Sequence, residues 1–460
     1  MSRKKHNITG DLKVSVSGVR GIVGESLTPG LVAGFTTAFG QYVGGGKVIV
    51  GRDTRPSGAM LEHAVIASLL AVGCQPVLAG VVPTPTVQML VDKYRASGGV
   101  VISASHNPVE WNALKFIGAS GTFLNYNEAA ELQDIYNQPD NIYVAEHDYR
   151  NIRYVEDPFE VHRKRIFSKI DVDAIRNARF KVAVDCCNGA GALFARSFLE
   201  ALGCEVFTIN DQPDGIFRRN PEPVPENMQE LSRTVLEYHC DIGFAQDPDA
   251  DRIGVVRSNG EALSEQSVLV LAVDHVLSGT NGNVVVNIQT TKAVEDVAAS
   301  YNCATYYSKV GEINVSGLMR QKHAVIGGEG SSGGVIYPDV YPCRDSFTAM
   351  ALMLEMLAMS GASIDDIVES LPMYVSVSRK FKCDVGNARN IVRKLKVRYR
   401  ELNPITIDGI RINFSRDAWI LVRPSNTEPV IRLYVEARTQ EQAHELLENF
   451  VAELEELRKA

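Results

Sequence analysis

Asp241-Ile242-Gly243-Phe244-Ala245-Gln246-Asp247-Pro248-Asp249-Ala250-Asp251-Arg252-Ile253-Gly254-Val255-Val256 reads as two short apolar strands joined by an acidic loop. The loop places carboxylates at every second residue, so one short extended turn points several oxygens at a single hard cation. Arg252 adds a positive charge at its end.

Working outward, the strand at 241–245 is the last of a unit that occurs three times. Residues 47–50, 181–184 and 283–286 are β-branched runs, each followed by a polar turn and a helix-like stretch. A second strand then opens alike in each unit, at Gly73-Cys74, Gly203-Cys204 and Asn302-Cys303. Residues 99–102, 241–245 and 324–326 complete the units, and each runs straight into a polar loop. Strands alternating with helices indicate parallel α/β units, whose ligands bind beyond the carboxyl ends of the strands. The remainder differs: 372–382 reads as a connector and strand, 388–399 as a helix, 405–414 and 419–422 as strands, and 440–457 as an amphipathic helix. The expected fold is α/β, with three tandem related α/β domains plus a C-terminal α+β domain around a central cleft. The expected domains are 1–155, 156–258, 259–370 and 371–460.

A chain of 460 residues suits about three or four domains. Its 45% hydrophobic and 22% charged content is that of a globular protein, and a net charge of −8 argues against a nucleic-acid or membrane-surface binder. Met1 to His6 is basic but no secretory apolar segment follows, and no run approaches a membrane span, so the expected location is cytoplasmic. Eight scattered cysteines without paired CxxC spacing read as reduced thiols.

A second loop, Ser103-Ala104-Ser105-His106-Asn107-Pro108, completes the chemistry of the first by offering a hydroxyl in a tight polar turn. Phosphoryl transfer asks a protein mainly for positioning and for neutralised oxygens, which a magnesium ion and Arg252 supply, so the two loops point to a phosphoenzyme. An EF-hand shares the 1, 3, 5 acidic spacing but needs Gly and Glu where Arg252 and Ser258 stand, and it needs flanking helices. Gly44-Gly45-Gly46-Lys47 is not a P-loop, because Gln41 and Val48 occupy required positions.

With Gly328-Glu329-Gly330-Ser331-Ser332-Gly333-Gly334 and Arg423-Pro424-Ser425-Asn426-Thr427-Glu428-Pro429, the two loops make four landmarks in order. In this the whole chain resembles the α-D-phosphohexomutases, the family of phosphoglucomutases, phosphomannomutases and phosphoglucosamine mutases. The resemblance implies that Ser105 carries the phosphoryl group and that Arg20, His106 and Lys115 complete the catalytic set. It implies that phosphorylated Ser105 joins Asp247, Asp249 and Asp251 in holding Mg2+. Substrate binding falls to Arg252, to Glu329 and Ser331 in a sugar loop, and to Arg423, Ser425, Asn426 and Thr427 in a phosphate loop. Glycines beside Arg20 are expected to let the backbone approach a phosphate. Ala113 stands where the family's lysine turn usually has glycine, and the sugar loop lacks a family histidine, which moves the proton role toward Lys115.

The implied reaction interconverts hexose 1-phosphate and hexose 6-phosphate, with hexose 1,6-bisphosphate as intermediate and activator. The partner is a small sugar phosphate, with no nucleic acid or membrane, and the protein is expected to be a monomer or homodimer. The alternatives are a magnesium-dependent aspartyl sugar phosphatase with Asp247 as nucleophile, and a non-catalytic sugar-phosphate sensor.

Overall fold

The computed structural model describes residues 12–16, 18–138, 140, 142–425 and 429–459. Two compact units divide the chain, Met1–Val268 with Ser332–Ile367 and Leu269–Ser331 with Val368–Ala460.

The first unit opens with seven strands: β1 (Lys13–Ser15), β2 (Gly18–Ile22), β3 (Gly46–Arg52), β4 (Cys74–Val81), β5 (Gly98–Ile102), β6 (Trp111–Gly118) and β7 (Arg153–Tyr154). They form one sheet in the order β1-β2-β6-β5-β3-β4-β7. A second sheet follows, with β8 (Lys181–Asp185), β9 (Glu205–Ile209), β10 (Ile242–Gln246) and β11 (Ile253–Val256) in the order β11-β10-β8-β9. The second unit begins with β12 (Asn283–Asn287), β13 (Thr305–Ser308) and β14 (Ala324–Glu329), where β12 pairs in parallel with both neighbours.

The repeat read from the sequence is thus a repeat of topology. β3, β8 and β12 are each flanked in parallel by the second strand of their unit on one side and the third on the other. Val48, Ile49 and Val50, like Val284, Val285 and Val286, are wholly buried at successive positions. Alternate residues face opposite sides of a strand, so both faces are covered, as parallel sheets require. The sheets are nonetheless mixed. After β5 and β10 the chain returns as an antiparallel neighbour, β6 or β11, so the Ser105 and Asp247 loops are hairpin connections rather than turns into helices.

The chain re-enters the first unit with β15 (Gly334–Ile336) and the helix Ser346–Ser360, whose N-terminus is capped by the Asp345 side chain accepting from Phe347 N. The C-terminal part of the second unit is an antiparallel sheet of β16 (Val375–Lys382), β17 (Ile410–Asn413), β18 (Trp419–Pro424) and β19 (Val430–Ala437), ordered β16-β19-β18-β17. Helices Val385–Arg398 and Gln440–Lys459 bury Ile391, Leu395, Leu447 and Phe450 against Ile420, Val422, Ile431 and Leu433. The helix expected at 388–399 starts earlier because Asp384 caps it through Asn387 N. The strand expected at 405–414 is present as β17 over Ile410–Asn413, preceded by a tight return with Ile405 bridged to Arg411 and the turn made at Gly409, φ 86.

All eight cysteines are free, and all but the half-buried Cys303 are buried. Among the described residues no single helix is long and apolar enough to cross a membrane.

Gly189 shows how closely the acidic loop is seated. A Cβ there would lie 2.5 Å from Pro248 O, the same oxygen that accepts from Ala190 N at 2.8 Å. Gly189→Ala therefore displaces backbone, a rearrangement that costs about 1–3 kcal/mol. The expected result is a thermal midpoint lowered by several degrees, measured by scanning calorimetry.

Candidate active site

Ser105 lies at the turn between β5 and β6 in the left-handed region, φ 51, which costs a non-glycine residue about 1–3 kcal/mol. Its surroundings enforce that conformation. Ser105 N donates to Ser103 Oγ at 3.0 Å, and Ser103 Oγ donates to Asp53 Oδ2 at 2.7 Å. Arg55, wholly buried, pairs with the same Asp53 oxygen through Nε at 3.0 Å. Its two terminal nitrogens reach the carbonyls of Ser105, Asn107, Pro108 and Trp111 at 2.5 to 3.1 Å. One guanidinium thus binds the loop from inside, using the planar fork that lysine lacks.

The three loop aspartates are all fully buried, and one oxygen from each lies within 4.8 Å of the others. Asp247 Oδ1 accepts from Asp251 N and Arg252 N, each at 3.1 Å, while Oδ2 accepts from Ser105 Oγ at 2.6 Å. Asp249 Oδ2 takes Lys115 Nζ at 2.6 Å and the Thr84 hydroxyl, and Asp251 Oδ2 takes Arg344 Nη2 at 2.6 Å. Among the described residues Asp249 Oδ1 and Asp251 Oδ1 accept no hydrogen bond, though Arg252 Nε lies 3.8 Å from Asp251 Oδ1. Leaving a buried charged acceptor unmade costs more than about 1–3 kcal/mol, so two such oxygens beside Asp247 Oδ2 fit a hard divalent cation.

Electrostatics support that fit. Burial, together with the charges of Asp249 and Asp251, raises the Asp247 carboxyl well above the ordinary range. Burial would also raise Asp249, but the charge and hydrogen bond of Lys115 hold it well below. Around His106 the charge is positive. Arg252 above all, then burial, then Arg20 and Arg344 depress the His106 imidazole to about 2. His106 Nδ1 lies 3.4 Å from Ser105 Oγ, and Arg20 Nη1 donates to Asn107 Oδ1 at 2.8 Å. A hydroxyl beside a carboxylate cluster and ringed by guanidinium groups is arranged for a phosphate dianion.

The first unit therefore brings together Ser105, His106, Arg20, Lys115, Arg252 and the three aspartates. The glycines beside Arg20 have a packing reason visible in the fold. A Cβ on Gly18 would lie 1.9 Å from Leu114 O, and one on Gly21 would lie 2.5 Å from Ser26 Oγ, so both make room for neighbouring chain. In the second unit Glu329 Oε1 accepts from Asn287 Nδ2 at 3.0 Å and Gly311 N at 2.6 Å, and Ser331 Oγ lies 3.4 Å from Gln289 Oε1. Arg423 pairs with Asp408 at 2.9 Å, and Ser425 N donates to Val430 O at 2.9 Å. Asn426 and Thr427 lie outside the described residues.

Several participants escaped the sequence reading: Asp53, Arg55, Thr84 and Arg344 in the first unit, and Asn287, Gly311 and Asp408 in the second. Arg52-Asp53-Thr54-Arg55, a charged run directly after the apolar β3, was the available signal for the first pair. The family histidine's place falls on Gly333 or Gly334: Gly333 has φ 61 and a Cβ there would lie 2.1 Å from Ile253 O, while one on Gly334 would lie 2.4 Å from Arg344 Cδ. No larger residue fits either position without displacing a neighbour.

Comparison with known proteins gives the same reading. The four domains of phosphoglucomutase/phosphomannomutase match in order: α/β/α domain I at 11–142, domain II at 160–260, domain III at 264–374 and the C-terminal domain at 373–453. A probable phosphoglucosamine mutase from Methanopyrus kandleri is 37% identical over 439 residues, covering 95% of this chain and 96% of that protein. A phosphoglucomutase/phosphomannomutase from Thermococcus kodakarensis is 36% identical over 451 residues, covering 96% and 98%. Among solved structures, a phosphoglucomutase/phosphomannomutase family protein from Burkholderia thailandensis superposes with a TM-score of 0.82 at 26% identity, covering 97% of this chain and 98% of that one. Fold and site together define an intramolecular phosphotransferase. The chain belongs to the phosphoglucomutase/phosphomannomutase family, and its activity is that of a hexose phosphate mutase.

The depressed His106 yields a direct test. Ordinary histidines titrate near about 6.5, whereas this ring stays neutral down to about 2 in the free protein. Below about 6.5 the unfolded chain binds a proton that the folded ring refuses, so the contribution of His106 to stability, complete above that pH, is lost as pH falls toward about 2. NMR titration of the free protein should show no His106 inflection between about pH 5 and 8.

Proposed function

We infer that the chain interconverts hexose 1-phosphate and hexose 6-phosphate through phosphorylated Ser105. The observation that carries this reading is the Ser105 hydroxyl, 2.6 Å from Asp247 and next to two carboxylate oxygens that accept no hydrogen bond among the described residues. Ser105, Asp247, Asp249 and Asp251 would hold Mg2+, which when bound neutralises charge on the transferring phosphoryl group. Arg20 and Arg252 supply fixed positive charge to the phosphate. Lys115, held by Asp249, stands as the group that moves a proton to or from the sugar hydroxyl, and His106 is a neutral neighbour rather than an acid.

The phosphoryl group passes from Ser105 to the free sugar hydroxyl, giving a hexose 1,6-bisphosphate that turns over and returns its other phosphate to the Ser105 oxygen. Glu329 would accept hydrogen bonds from adjacent sugar hydroxyls, with Ser331 beside it. Arg423, Ser425, Asn426 and Thr427 would hold the phosphate that is not transferring. The same domain division follows: 1–155 carries the phosphoserine loop, 156–258 the metal loop, 259–370 the sugar loop and 371–460 the phosphate loop. The relative named as a phosphoglucosamine mutase supports glucosamine phosphates as the first pair to assay, with glucose and mannose phosphates beside them. Eight free thiols support a cytoplasmic protein.

Intact mass after incubation with glucose 1,6-bisphosphate tests the carrier. The wild type should gain one phosphate and Ser105→Ala none, with turnover lost and circular dichroism unchanged. A phosphorylated Ser105→Ala protein, or one with undiminished turnover, sinks the assignment.

Arg423→Lys keeps the charge but removes the planar fork, so KM for the monophosphates should rise by about one to two orders of magnitude, the worth of a charge-assisted hydrogen bond. Phosphorylation by added bisphosphate should persist. Steady-state kinetics beside intact mass reads both, and an unchanged KM removes Arg423 from the site.

A further inference from the structure

His162 sits on the helix Glu160–Phe167 and takes no direct part in the site, yet it joins the two supports of the acidic loop. It is wholly buried against Phe159 and Phe347, with ring centroids 4.8 and 5.6 Å away. Nε2 lies 2.8 Å from Asp345 Oδ2 and Nδ1 lies 2.8 Å from Thr86 Oγ1. A carboxylate only accepts, so Nε2 carries the proton toward Asp345. Nδ1 is then the acceptor of the Thr86 hydroxyl in the neutral ring.

What flanks each partner gives the pairing its meaning. Two residues before Thr86, Thr84 N donates to Asp249 O at 2.9 Å and its hydroxyl binds Asp249 Oδ2. One residue before Asp345, Arg344 binds Asp251 Oδ2 at 2.6 Å. One residue after it, Ser346 Oγ donates to Ala250 O at 2.7 Å and accepts from Gln246 Nε2 at 2.8 Å. Ala250, at φ 52, is the strained residue between the two aspartates. Thr84 and Arg344 therefore choose which oxygen of Asp249 and of Asp251 is tied and which is left for a cation, and His162 fixes the distance between the segments that carry them.

The geometry points to His162 as a positioning residue for the metal site, acting through Thr86 and Asp345; this rests on the carboxylate cluster being the cation site proposed above. Partners behind metal ligands typically alter affinity by about 10–100-fold when removed.

The test uses the full chain with Mn2+ alone as probe, its binding read by electron paramagnetic resonance, and with folding checked by circular dichroism. His162→Phe keeps an aromatic ring but loses both hydrogen bonds, and Thr86→Val removes one hydroxyl at nearly constant shape. Both should weaken Mn2+ binding, by about tenfold or more. His162→Gln, which keeps an amide donor for Asp345, should recover part of the loss. Should His162→Phe fail to fold, Thr86→Val carries the measurement. Unchanged Mn2+ affinity in folded Thr86→Val, even with a lowered thermal midpoint, makes the link a structural one and overturns the inference. Asp249→Asn separates the two readings: if it binds Mn2+ as the wild type does, the cation site itself is wrong and this inference falls with it.

Discussion

Three carboxylates buried together on one hairpin are the constraint around which the first unit is built. Like charges at this spacing and depth repel strongly and lose their hydration, so each oxygen needs a partner. The chain supplies partners for most of them. Asp247 is held by two backbone amides and the Ser105 hydroxyl, Asp249 by Lys115 and Thr84, and Asp251 by Arg344. The partners come from widely separated segments, so folding and site assembly are one event. Among the described residues Asp249 Oδ1 and Asp251 Oδ1 are the two oxygens that accept no hydrogen bond.

The Ser105 hairpin solves the opposite problem. Its strain lies in the left-handed Ser105, which turns its hydroxyl onto Asp247, and buried Arg55 meets the turn's carbonyls. Both loops place a non-glycine residue at positive φ, Ser105 and Ala250, and in both a side chain from elsewhere holds that residue's carbonyl, Arg55 in one and Ser346 in the other. Strain of this kind persists only where the surroundings over-determine it. The sheets provide such surroundings, because β5 and β10 run inside fully buried cores up to the residue where each loop begins.

What was legible in the sequence follows from this division of labour. Ser105 and Asp247, Asp249 and Asp251 are contiguous motifs whose spacing is itself the chemistry. The strand repeat was legible because hydrophobic burial on both faces writes unbroken β-branched runs. Arg55 left little trace, since its targets are backbone carbonyls that any residue presents. Thr84, His162 and Arg344 were hidden because their partners lie up to 183 positions away, as for His162 and Asp345, and nothing local distinguishes them. The missing sugar-loop histidine was visible at once, but the crowding at Gly333 and Gly334, against Ile253 O and Arg344, exists only in the fold.

The second unit follows the same logic with a different result. Glu329 is drawn toward Asn287 Nδ2 and Gly311 N, so the carboxylate expected to read sugar hydroxyls is aimed before any sugar arrives. Asp408 Oδ2 accepts from Val310 N at 3.2 Å and pairs with Arg423 at 2.9 Å. One acid thereby connects the turn that aims Glu329 with the arginine expected to hold a phosphate. The two anchoring points expected for the substrate are therefore linked through a single short side chain, and a guanidinium already paired with a carboxylate must exchange or share that partner when a dianion binds. Asp408 thereby fixes the Val310–Gly311 turn and the Arg423 side chain to one another inside the second unit, which limits the ordering entropy of whatever these groups bind.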